Sequence, residues 1–83
     1  MKRVLFITTS HKDLGDSGVK TGVWLEEVAT PYYRFREESI HVEIASINGG
    51  NIPIDPLSES KDWITENTIR FKADKIAMSL VNT

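Results

Sequence analysis

Thr21-Gly22-Val23-Trp24-Leu25-Glu26-Glu27-Val28-Ala29-Thr30-Pro31-Tyr32-Tyr33 decides how the rest of the chain must fold, because its apolar residues recur at the spacing of a helix that has a sheet to lie on. Val23 and Trp24, Val28, Tyr32 and Phe35 make one stripe, while Glu26, Arg34, Glu37 and Glu38 fall on the solvated face. The spacing predicts a helix from Val23 to Arg36, with Thr21 or Gly22 as N-cap and two glutamates at the favourable end of the dipole. Glu27 sits at the edge of the stripe, beside Val28 and one turn after Val23 and Trp24. Its carboxyl therefore reaches either solvent or a cleft at the helix start. Pro31 cannot donate to the Glu27 carbonyl one turn back, which predicts a kink there.

Working outward, Val4-Leu5-Phe6-Ile7 is an unbroken apolar run, the form of a central strand covered on both faces of a parallel sheet. Ile40-His41-Val42-Glu43-Ile44-Ala45 alternates apolar and polar residues, as a less fully covered edge strand does. Strand, helix and strand with this connection form a βαβ unit with a right-handed crossover, so the fold class is α/β. The polar connection from Thr8 to Gly22 is longer than a strand-to-helix link needs. It follows the carboxyl end of a strand, where open α/β sheets bind ligands, and is a candidate site wall. Ser46 to Ser60, with Gly49, Gly50, Pro53 and Pro56, reads as a second long loop anchored by Ile52, Ile54 and Leu57. Lys61 to Val81 turns helical in two pieces: Trp63, Ile64, Thr68, Ile69 and Phe71, then Ile76, Ala77, Leu80 and Val81, with Asp74 as a cap between them. No third strand is legible. Two strands with helices on them leave both sheet edges open and little apolar area to offset chain entropy, so the sequence reads as half a domain.

Composition narrows the functional classes. At 83 residues, 40% hydrophobic and 27% charged, the chain suits one soluble globular domain. No apolar run approaches the roughly 20 residues of a membrane helix. A net charge of -2 with scattered basic residues leaves no stripe for nucleic acid. The absence of cysteine excludes disulfides, thiolate metal sites and a thiol nucleophile on these residues, and no signal-peptide pattern opens the chain, so cytoplasm is the expected location.

Glu27 is the candidate general acid/base, weighed against the commoner role of a first-turn glutamate favoured by the helix dipole. Thr8-Thr9-Ser10 follows a strand as a phosphate cradle does, but it lacks a glycine fingerprint, and Asp13 and Asp16 repel anions; no cofactor is expected. His11 and His41 are too isolated for a metal site and are assigned to the surface. Gly49-Gly50 reads as a turn, and Trp24, Trp63 and Phe71 as core.

Several stretches together carry a family resemblance. Arg3 to Ser10, Lys20-Thr21-Gly22-Val23-Trp24-Leu25-Glu26-Glu27 with Pro31-Tyr32, Ala45 to Gly50, and Pro53-Ile54-Asp55-Pro56-Leu57-Ser58 resemble the ThiJ/PfpI family of the class I glutamine amidotransferase-like superfamily. The similar branch is that of the glyoxalase III and heat-shock chaperone proteins. The resemblance implies that these 83 residues are the N-terminal half of a flavodoxin-like sandwich in which a cysteine and a histidine, both downstream of them, act with Glu27. It implies a pocket lined by Thr21 and Gly22, a small dicarbonyl such as methylglyoxal as substrate, and lactate as product. It also implies a homo-oligomer or association with a complementary chain. An acid without its nucleophile does not perform covalent catalysis, so the 83 residues alone are expected to be inactive. The alternative is a holdase-like binding role for the apolar surface a half domain leaves open, and a flavin-binding module is a distant third.

Overall fold

The computed structural model describes residues 2–82. In chain order they form β1 (Arg3–Thr8), α1 (Leu25–Glu37), β2 (His41–Ser46), a 3-10 turn (Pro56–Glu59), α2 (Glu66–Ala73) and α3 (Lys75–Val81). The strands pair in parallel, from Arg3 opposite His41 to Thr8 opposite Ser46, with α1 as the crossover. This is the α/β class and βαβ unit that the two periodicities require. Among the described residues the sheet has two strands.

The core lies on one face of that sheet. Val42 and Ile44 of β2 point into it, met by Leu25, Val28, Ala29, Tyr32 and Tyr33 of α1. Phe71 of α2 is wholly buried and meets the Tyr32 ring edge to face at 5.4 Å, while Ala77 and Val81 of α3 close the far side. Ile52 enters from the second loop, fixed by its N–H donating to the Val81 carbonyl at 2.8 Å. The molecule is only 17 Å through its shortest dimension, the thickness of a sheet with one helical layer.

That layering corrects the reading of β1. Leu5 and Ile7 are 54% and 70% exposed, so β1 is covered on one face and not on both. The inner residues of β2 are the better buried, because α1 and α3 both pack on β2 and the helical layer is centred over it. Phe6 still reaches α1, at 5.9 Å from the Phe35 ring.

The start of α1 differs as well. Neither Thr21 nor Gly22 is its N-cap; Trp24 is, and its side chain makes no capping hydrogen bond. The acceptor comes from 33 residues away, where the fully buried Ser58 takes the Leu25 N–H on its Oγ at 3.0 Å and donates to the Asp55 carbonyl at 2.6 Å. The 3-10 turn that presents Ser58 is built by Asp55 and Pro56: the Asp55 carboxylate accepts the Leu57 N–H and Pro56 fixes the first backbone angle. α1 then stays helical through Pro31 to Glu37.

Asp74 caps α3 as its sequence position predicts, accepting from the N–H groups of Ile76 and Ala77 at 3.0 and 3.1 Å. α2 opens on a reciprocal pair, the Thr65 hydroxyl accepting the Thr68 N–H while the Thr68 hydroxyl accepts the Thr65 N–H. Trp63 and Ile64, read as helical, precede α2 in a turn and stay exposed. The residue that could start a helix by capping it is Thr65, two positions after Trp63. Leu57, read as an anchor, is 55% exposed, whereas Ile54 packs against the core.

Candidate functional site

A groove of about 560 Å³ runs between α1 and β1. Phe6, Ile7 and Thr8 form its floor at the carboxyl end of β1, and Trp24, Glu27, Val28 and Pro31 form its wall, with Gly22 and Val23 at the mouth. Glu27 is the one ionisable side chain in that lining, and it is exposed. The sequence-predicted acid thus stands at the carboxyl end of a parallel strand, on the first turn of the crossover helix, where the dipole favours a negative charge.

The neighbouring acid shows what a committed glutamate looks like here. Glu26, read as solvated, is half-buried, and its Oε1 accepts from the Thr30 hydroxyl at 2.7 Å and the Thr65 hydroxyl at 2.8 Å. Asn67 extends the network by donating to Thr30 Oγ1 at 2.8 Å. Glu26 therefore ties the start of α1 to the cap of α2, leaving Glu27 as the acid that faces open space. Trp24 and Trp63 meet edge to face at 5.5 Å above this junction.

Gly22 and Thr21 separate in the structure. Gly22 lines the groove and is demanded by packing: a Cβ there would stand 2.5 Å from the Pro53 carbonyl carbon and 2.8 Å from the Ile54 nitrogen. The close approach lets Val23 bridge Ile54 in parallel, its N–H donating to the Pro53 carbonyl at 2.8 Å while its carbonyl accepts the Asp55 N–H at 2.9 Å. Thr21, assigned to the same pocket, lies outside that groove. Its hydroxyl donates to Asp55 Oδ2 at 3.2 Å, so it serves the 53–58 segment.

The loop from Thr8 to Gly22, read as a candidate site wall, carries a tight hairpin at its tip. Asp13 and Lys20 bridge antiparallel and form an ion pair at 2.6 Å, which holds the Asp13 carboxyl below the ordinary carboxylate range. Gly15 and Gly18 supply the positive φ angles of 55° and 78° that the turn needs. Leu14 and Val19 beside it are exposed.

A second polar cluster lies away from the groove. The Tyr33 hydroxyl donates to Asp74 Oδ2 at 3.0 Å, and the Arg70 guanidinium stands 3.7 Å over the Tyr33 ring. Burial, reinforced by the hydrogen bond to Asp74, pushes the Tyr33 phenol up to about 12. Hydrogen bonding from the Ala77 N–H leads the effects that hold Asp74 below its usual value. His11 and His41 are at the surface, and among the described residues no three His, Cys, Asp or Glu side chains are grouped to hold a metal. No described helix is long and apolar enough to cross a membrane.

Among the solved structures that resemble this chain are two much longer proteins. One is the Rapid Encystment Protein 24 kDa of Francisella tularensis, 41% identical over the whole of this chain and 36% of that one, with a TM-score of 0.87. The other is APC35852, 38% identical over 99% of this chain and 34% of that one, with a TM-score of 0.72. The chain spans about a third of the length of the solved chains it matches. No family model matches it, and no curated protein does.

These findings correct the ThiJ/PfpI resemblance. No model of any family matches, that one included, and the two solved structures just described carry other names. The physical reason is visible in the motifs. Gly22 answers to the Pro53 backbone, Gly49 and Gly50 both take φ of 74°, and Asp55-Pro56-Leu57-Ser58 builds a capping turn. These are backbone requirements of the fold, and they do not single out a family.

Proposed function

We propose that this chain contributes the acid/base wall of an active site belonging to a larger α/β domain, with Glu27 as the proton-transferring group. The observation that carries the reading is the position of Glu27 as the one ionisable residue in an otherwise largely apolar groove at the carboxyl end of β1. An unpaired carboxylate in such a place accepts and returns protons and needs a partner to do more. A small 1,2-dicarbonyl such as methylglyoxal suits it. A nucleophile from outside the 83 residues adds to the aldehyde carbon, and Glu27 moves the proton from that carbon to its neighbour. Water then releases the nucleophile, so that methylglyoxal and water give lactate. The support for this substrate is the single carboxylate, the group a carbon-to-carbon proton transfer needs.

The test is lactate formation from methylglyoxal by the 83-residue chain and by the same chain assembled with the remainder of a larger α/β domain. Turnover is expected in the assembly alone. Turnover by the short chain would show that the nucleophile need not come from outside. A holdase-like binding role is the second reading, favoured by the exposed Leu5, Ile7 and Ile47. Suppression of a client's aggregation by the chain alone, at stoichiometric amounts, would support that reading.

A further inference from the structure

The parallel register fixes which backbone groups of β1 are spoken for. His41 donates to the Lys2 carbonyl and Ile47 to the Thr8 carbonyl, so residues 2, 4, 6 and 8 of the first strand turn their polar groups to β2. The N–H and C=O groups of Arg3, Leu5 and Ile7 consequently face the opposite edge, where no strand among the described residues meets them. The groove beside Glu27 is on this same side, since β1 residues line it and β2 residues do not. The edge is also apolar above and below: Phe6 with Val28 and Pro31 on the helical side, Leu5 and Ile7 on the bare side. A strand apolar on both faces and open along one edge is the pattern of an interior strand in a parallel sheet that lacks a neighbour.

We infer that the free edge of β1 is the docking site for a parallel strand from the remainder of a larger α/β domain, and that this strand supplies the missing wall of the Glu27 groove. Two considerations select that occupant. A second copy of this chain meeting β1 edge to edge about a two-fold axis would pair antiparallel, against the interior-strand character of Val4 to Ile7. The solved chains that match extend well beyond the match, with this segment covering only 36% and 34% of them. A strand laid along Arg3, Leu5 and Ile7 sends alternate side chains toward Phe6, Val28 and Pro31 and the others over Ile7. Its carboxyl end then lies level with Thr8, beside Glu27, and any reacting group carried there faces the carboxylate.

This inference rests on the proposed larger domain, and its test is separable from that of the activity. The 83-residue chain is co-expressed with the part of the Francisella protein that lies outside the match. Amide exchange is read at Leu5 and Ile7, alone and in the complex. Expected are a monomer with fast exchange at both amides and a one-to-one complex in which both slow by at least about tenfold. Ile7→Pro removes an outward N–H without removing a bond to β2, so the lone chain should keep its fold while the complex weakens at least about tenfold. A complex in which Leu5 and Ile7 still exchange fast would overturn the docking site while leaving the acid role of Glu27 open to its own assay. Failure to form any complex would overturn the docking site. Slow exchange in the chain alone with a doubled mass would overturn it in favour of a second copy.

Discussion

Replacing Gly22 by alanine isolates one steric demand, because its backbone angle lies outside the left-handed region and the new methyl group brings no dihedral penalty. All of the cost comes from the Pro53–Ile54 backbone, which stands within 2.8 Å of the Cβ position and cannot rotate away as a side chain would. Overpacking of this kind costs roughly 1 to 3 kcal/mol. If the segments separate instead, the two hydrogen bonds joining Val23 to Pro53 and Asp55 go with them, at about 1 kcal/mol each. Either route gives a loss of roughly 1 to 3 kcal/mol, against a total of about 4 to 12 kcal/mol for a domain of this size. Gly22→Ala should therefore lower the melting temperature by roughly 5 to 25 °C in thermal unfolding followed by circular dichroism. Gly15→Ala is the control. Its Cβ would meet nothing within 4 Å, and only the positive φ of 55° opposes it, at roughly 1 kcal/mol. A Gly22→Ala protein as stable as wild type, or more stable than Gly15→Ala, would refute the close-approach argument.

Ser58→Ala removes the buried acceptor of the Leu25 N–H and should cost roughly 1 to 2 kcal/mol in denaturant unfolding, although the residue lies 33 positions from the helix it caps. Glu26→Ala should cost about 2 kcal/mol by releasing Thr30 and Thr65, whereas Glu27→Gln should change stability by less than about 1 kcal/mol, the worth of its place on the dipole. Tyr33 has a folded value raised from 10.0 to about 12, so its contribution is fully present below pH 10 and is lost as pH rises toward 12. Burial raises the Tyr32 phenol as well, so tyrosinate absorbance should show both phenols titrating late, and Tyr33→Phe should remove the later step.

The sequence carried the βαβ unit because its two periodicities are local, and it carried Asp74 because a capping aspartate sits next to the helix it serves. It misled wherever a partner is distant. The cap of α1 is Ser58, which no window around Trp24 contains. Glu26 and Glu27 are adjacent and alike as letters, and only the arrival of Thr65 from α2 commits one and frees the other. Val4 to Ile7 reads as doubly covered because an unbroken apolar run is the same in letters whether one face is packed or two, and Leu5 and Ile7 are exposed. Thr21 and Gly22 share a turn in sequence, yet their roles diverge because Asp55 takes the threonine hydroxyl while Pro53 sits against the glycine.

Lactate formation from methylglyoxal by the assembled domain, measured with Glu27 and with Glu27→Gln at matched stability, tests the central claim most directly. The account predicts a loss of about 10² to 10⁴-fold in kcat for the glutamine variant, the range a positioned acid/base contributes, with assembly unchanged. Undiminished turnover by Glu27→Gln would contradict it.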